Sequence, residues 1–195
     1  MVRAAYAAFG FQCRALGHYP TYAALARPGQ PAGPVTALEA RDADDFAAAL
    51  RACDGPRRLW NDPDRDQLEH YRQDPRERVL IRLEDPAGRP LGAAMLMRAD
   101  VLTAPGRERV ATIDSLSLPE PSADALQALA RFAADRWAGQ VTSPVVMAPN
   151  LQGIDSGLLR SAGFRATPSA FNGYLFFRDR DHAFQDAEAT NLEIV

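Results

Sequence analysis

Asp114 is the only acid in the strongly apolar stretch Val110 to Leu118, which makes it the clearest candidate in this chain for acid–base chemistry. A carboxylate in such surroundings can serve as a general base that takes a proton from a substrate. Its plainer role is to accept hydrogen bonds from nearby backbone amides or to pair with an arginine. A second cluster, Glu69-His70 with Tyr71 and Arg72, carries an imidazole suited to proton transfer, although a lone histidine on a polar helix is usually just solvated. Arg57-Arg58 ahead of Trp60 offers either an anion-holding pair or a solvated loop. His18 and His182 stand apart from any Asp, Glu or Cys grouping of ligand spacing, so no metal site is expected.

All 22 cationic side chains are arginine, and no lysine occurs in the 195 residues. Schiff-base chemistry, a lysine-anchored pyridoxal cofactor and a phosphate-loop lysine are therefore excluded, since each needs a primary amine. A net charge of -3 argues against non-specific nucleic-acid binding. Cys13 and Cys53 are far apart and lack zinc spacing, so a reduced, cytoplasmic setting is expected. No stretch approaches the length of a membrane span, and the acid-free first 38 residues lack the long apolar core and cleavage pattern of a signal peptide. With 47% apolar and 24% charged residues, the chain suits one compact domain plus an appendage.

The elements that must position these residues follow from periodicity. Arg27 to Pro34 holds three prolines and two glycines and reads as a linker, with a boundary near residue 30. Val35 to Ala40 alternates as a strand, Asp42 to Cys53 reads as a helix capped by Asp42, and a polar helix covers Pro63 to Arg72 with Trp60, Leu68 and Tyr71 as anchors. From Arg78 the period changes to two, giving three antiparallel strands up to Leu118 that turn at Asp85-Pro-Ala-Gly88 and Ala104-Pro-Gly106. Ser122 to Trp137 is a helix burying Leu126, Leu129, Ala133 and Trp137. A strand (Val141 to Ala148), a helix (Ile154 to Ala162) and two strands (Phe164 to Thr167, Phe171 to Phe177) complete the order, before a polar tail over 181–195.

A phrase also recurs. Tyr6-Ala-Ala-Phe-Gly10-Phe11 and Leu159-Arg-Ser-Ala-Gly163-Phe164 both run from helical spacing into a helix-closing glycine and an aromatic that starts a strand. The element order and this repeated phrase resemble the GNAT superfamily of acyl-coenzyme A-dependent N-acyltransferases over residues 35–178. Residues 4–27 resemble the end of a preceding GNAT unit.

The resemblance implies an α+β fold with a mixed, mostly antiparallel sheet. Residues 1–30 would be the remnant of a first unit, contributing a hairpin from Phe11 to Leu16 and Thr21 to Leu25, and residues 31–180 the GNAT-like domain. It also implies transfer of an acyl group, such as acetyl, from acyl-coenzyme A to a small-molecule amine. Asp114 would act as base and Tyr6, four residues before Gly10, as acid toward the leaving thiolate; the same position in the full unit is Leu159. Coenzyme binding would fall to Ser115, Leu116, Ser117 and Leu118 on the splaying strand, and to Ser122 and Ala123 at the helix start. The family's glycine-rich pyrophosphate loop is replaced here by Leu118-Pro-Glu-Pro-Ser-Ala-Asp124. Two functions of different class therefore follow: an N-acyltransferase using acetyl- or another acyl-coenzyme A, or a degenerate GNAT-fold module that binds a ligand or partner. The apolar strands of residues 1–30 are expected to dock on the chain's own sheet, with homodimer formation as the lesser alternative.

Overall fold

The computed structural model describes the backbone of residues 12–53, 65–75, 77–103, 106–140, 145–147 and 154–177, and the side chains of 20–53, 65–75, 77–100, 106–140 and 154–168. Seven strands form one sheet: β1 (Gln12–Ala24), β2 (Thr36–Glu39), β3 (Val79–Glu84), β4 (Pro90–Thr103), β5 (Gly106–Ser117), β6 (Val145–Met147) and β7 (Arg165–Phe177). The described helices are α1 (Ala43–Ala52), α2 (Arg65–Arg72), α3 (Ala123–Arg136) and α4 (Ser156–Ser161). The sheet order is β2-β3-β4-β5-β6-β1-β7. Every pairing is antiparallel except β5 with β6, which run parallel across α3 as the sequence order anticipates. This is the mixed, mostly antiparallel α+β architecture expected.

Alternation along β3 sorts the core into two layers. Val79, Ile81 and Leu83 face the cluster containing Leu126, Leu129, Ala133 and Trp137 of α3 together with Leu159 and Phe164. Leu80 points the other way, with Ala93 and Met95 of β4, onto Phe46 and Leu50 of α1 and Leu68 of α2. Local signals fix where the helices begin. The Asp42 carboxylate accepts from the Asp45 amide at 2.8 Å, and the Ser122 hydroxyl accepts from Ala125 at 3.2 Å. Asp45 is half-buried and held below the ordinary carboxylate range, first by the Arg41 backbone amide and then by its guanidinium, with Arg82 adding to the effect. Gly163 closes α4 at φ 89°, a conformation open to glycine, and delivers Phe164 fully buried into the core.

Two expectations about strands are corrected. Residues 11–16 and 21–25 do not form a hairpin; Gln12–Ala24 is a single strand with register irregularities between Ala15 and Gly17 and between Pro20 and Tyr22. The stretches at 164–167 and 171–177 are likewise one strand, β7. Bulges carry the chain through Pro20 and Pro168, which local reading takes as breaks. β1 joins the chain's own sheet in an inner position, between β6 and β7, and the Thr21 and Thr167 hydroxyls bond across β1 and β7. The linker after it crosses α3, where the Gly29 amide donates to Asp135 at 2.8 Å.

Candidate functional site

β5 and β6 pair through Ala111 with Val145, Thr112 with Val146 and Ile113 with Met147. Beyond Ile113, the described pairing of β5 is with β4. The β4 register jumps at the same place: Leu96 faces Ile113 and Met95 faces Ser115, leaving Asp114 as the extra residue of a β-bulge. A bulge bends its strand and re-aims the side chain it carries.

That side chain is aimed at an arginine. Asp114 Oδ2 lies 3.4 Å from Arg78 Nη2, and Arg78 Nε lies 3.5 Å from Asp74 Oδ2. The Arg78 guanidinium stacks 4.6 Å over the ring of Tyr71. Arg78 is only 9% exposed and Asp114 16%. Hydrogen bonding within this buried group is incomplete, because Arg78 Nε and Nη1 and Asp114 Oδ2 are shielded from solvent without a hydrogen-bond partner. Asp114 therefore stands at a bulge of β5 as half of an ion pair, the second of the two roles its sequence position allowed.

The other candidates are distributed less favourably. Ser117 is buried rather than solvent-facing, Ser115 is half-buried, and Leu116 and Leu118 point into the core beneath α3. Leu159 is fully buried. His70 is exposed, and Glu69 pairs with Arg72 at 3.4 Å. From that cluster, Tyr71 is the member that reaches Arg78. Tyr6, Arg57, Arg58, Trp60 and His182 lie outside the described residues. Among the described residues no group of His, Cys, Asp and Glu could hold a metal ion, and no helix is long and apolar enough to cross a membrane.

Sequence reasoning missed Arg78, Asp74 and their stacking on Tyr71. The available signal was parity: Arg78 is two residues before Leu80 and so shares its face of β3. A cavity of about 480 Å³ opens nearby, lined by Pro75, Met97, Arg98, Asp100 and Arg109. Its cations are already engaged. Arg109 pairs with Asp100 at 2.9 Å, holding that carboxyl below its ordinary range together with Arg107, and Arg98 lies 3.4 Å from Glu77.

A pyrophosphate at the start of α3 would need free amides and no competing charge. Pro119 and Pro121 have no N–H to give, and Glu120 and Asp124 are exposed carboxylates. The Ser122 hydroxyl is taken by the Ala125 amide, and its carbonyl accepts from Leu126 at 3.3 Å. Each carboxylate brought within a few ångströms of a phosphate costs on the order of 1 kcal/mol or more. These residues do not fit the coenzyme's pyrophosphate.

No family model and no curated protein matches the sequence. Solved structures do. A GCN5-related N-acetyltransferase from Kribbella flavida matches with a TM-score of 0.52 at 16% identity, over 89% of this chain and 63% of that one. Saccharomyces cerevisiae N-myristoyltransferase, solved with bound myristoyl-CoA and inhibitors, matches with a TM-score of 0.55 at 11% identity, over 95% of this chain and 58% of that one. This chain has the GNAT fold. At such identities the fold is what is shared, and the chain spans less than two thirds of the length of either protein.

Proposed function

We propose that this domain is a GNAT-fold module that binds a ligand or partner and does not itself transfer acyl groups. The observation that carries this reading is the loop from Leu118 to Ser122, where two prolines, an exposed glutamate and an occupied serine cap replace the amides a pyrophosphate needs. Function lives in the site rather than the fold, and this loop is the part of the site that departs. The likeness of the fold to an N-acetyltransferase, with the bulge of β5 at Asp114, supports a second reading, acyl transfer from an acyl-coenzyme A to a small-molecule amine. In that reading Asp114 is the base, the main chain from Ser115 to Leu118 with Ser122 and Ala123 forms the coenzyme side, and Tyr6 is the acid.

Calorimetric titration of the full chain with acetyl-coenzyme A separates the two. The expected result is no heat of binding and no rise in melting temperature up to about 1 mM ligand. Saturable binding, with acyl transfer that Asp114→Asn lowers strongly while affinity holds, would establish the second reading instead.

A further inference from the structure

Arg131 of α3 is half-buried, yet it makes no hydrogen bond or ion pair among the described residues. Its place in the helix explains why. Ala128, Arg131, Phe132 and Asp135 fall at helical spacing on the stripe that meets the linker and β2. Asp135, four residues on, is the usual partner for such an arginine, but its carboxylate accepts from the Gly29 amide at 2.8 Å. Glu39, the other acid lining this groove, lies 3.9 Å from Arg136. Both acids are thus engaged elsewhere. The linker also lies against the guanidinium, since a Cβ on Gly33 would stand 2.9 Å from Arg131 Nη2. A charge drawn partly out of water and left without a partner is unfavourable, so an anion from outside the chain would be a favourable addition.

Two cavities adjoin at Gln30 and Arg131, which line both. The one against β2, of about 420 Å³, is also lined by Glu39, Asp135 and Arg136. The other, of about 370 Å³ between the linker and the end of α4, has Arg131 as its one charged lining residue. The rest of its lining is of two kinds. Leu25, Ala26, Ala130 and Ala162 are apolar, and Leu25 is 84% exposed, the one large hydrophobic side chain so exposed among the described residues. Gln30 and Gln127 bring carboxamides; Gln127 Nε2 donates to the Ser161 carbonyl at 3.5 Å, which leaves its Oε1 to accept.

We infer that this second cavity binds an acylated α-amino acid terminus, a carboxylate whose α-carbon also carries an amide nitrogen and an apolar side chain. The Arg131 fork takes the carboxylate, Gln127 Oε1 accepts from the ligand's amide N–H, Gln30 meets the amide carbonyl, and the apolar side chain covers Leu25 and Ala26. One guanidinium balances one negative charge. A phosphate dianion would need a second cation, and the acids of the adjoining cavity would repel its extra charge. The same chemistry belongs to a free N-acyl amino acid and to the C-terminus of a protein. The cavity shares no lining residue with the Asp114–Arg78 group or the Leu118 to Ser122 loop, so it names a ligand for the binding reading without depending on the coenzyme titration.

The test titrates the isotope-labelled full chain with N-acetyl-leucine up to about 10 mM and follows the backbone amide resonances. Saturable shifts at Gln30, Gly33, Arg131 and Gly163 are expected, and their absence overturns the inference. N-acetyl-leucinamide lacks the charge and 4-methylpentanoate lacks the amide, so each should bind at least about fivefold more weakly. Equal affinity for either one overturns the assignment. Arg131→Gln should weaken N-acetyl-leucine about tenfold and leave N-acetyl-leucinamide as it was, and a variant that binds N-acetyl-leucine as the natural chain does also overturns it. Should that variant fail to fold, the three-ligand comparison on the natural chain decides alone. A short peptide ending in leucine then separates the two sources. Binding about tenfold tighter than N-acetyl-leucine assigns the site to a protein C-terminus, and binding no tighter assigns it to the free N-acyl amino acid.

Discussion

Arg78 sits between two carboxylates, Asp74 and Asp114, with an aromatic ring beneath it, and this arrangement decides how Asp114 behaves. Removing one partner of a buried ion pair leaves the other charge without compensation, which costs far more than the pair contributes. Arg78→Met keeps much of the side-chain volume and removes the guanidinium. It is expected to lower the unfolding free energy by roughly 3 kcal/mol, because two acids lose their counter-charge at once. Urea denaturation of the variant and of Arg78→Met with Asp114→Asn checks this: the double change should recover part of the loss, and a loss equal to that of the single variant would mean Asp114 is not coupled to Arg78. Sequence marked Asp114 because one acid in an apolar run stands out. Parity with Leu80 gave the face that Arg78 shares but not its pairing with Asp114, since the two meet only after β3, β4 and β5 have assembled.

The elements were legible in proportion to how local their signals are. Asp42, Ser122 and Asp155 each cap a helix through a hydrogen bond to a residue three positions on, so all three helix starts could be read from the chain. The β1 and β7 strands could not, because Pro20 and Pro168 look like breaks until the neighbouring strand absorbs them as register shifts. The end of β5 shows a constraint of the same non-local kind. A Cβ on Gly92 would lie 2.5 Å from Leu118 Cδ2 and 2.6 Å from the Ser117 carbonyl oxygen. The second contact is with backbone and cannot be relieved by turning a side chain. Gly92→Ala is therefore expected to destabilise the domain by roughly 1–3 kcal/mol, although alanine suits a strand better than glycine does. Thermal unfolding followed at Trp137 is the measurement, and a melting temperature equal to that of the natural chain would mean that β5 does not approach β4 this closely.

At the scale of the whole molecule, the first strand in the chain occupies one of the last positions in the sheet. Parting β1 from its neighbours would open both β6 and β7 and strip Tyr22 and Ala24 from the core beneath α3. The rest of the chain cannot refill the slot from its described strands, which are all committed to partners of their own. Deleting residues 1–30 is consequently expected to abolish cooperative unfolding and to drive the remainder into aggregates, since two newly exposed strand edges flank an opened apolar core. Had the segment formed the separate docked hairpin that its sequence suggests, the same deletion would cost little. Solubility, melting temperature and mass by light scattering distinguish the two. A shortened chain that keeps all three would show that β1 is dispensable to the sheet.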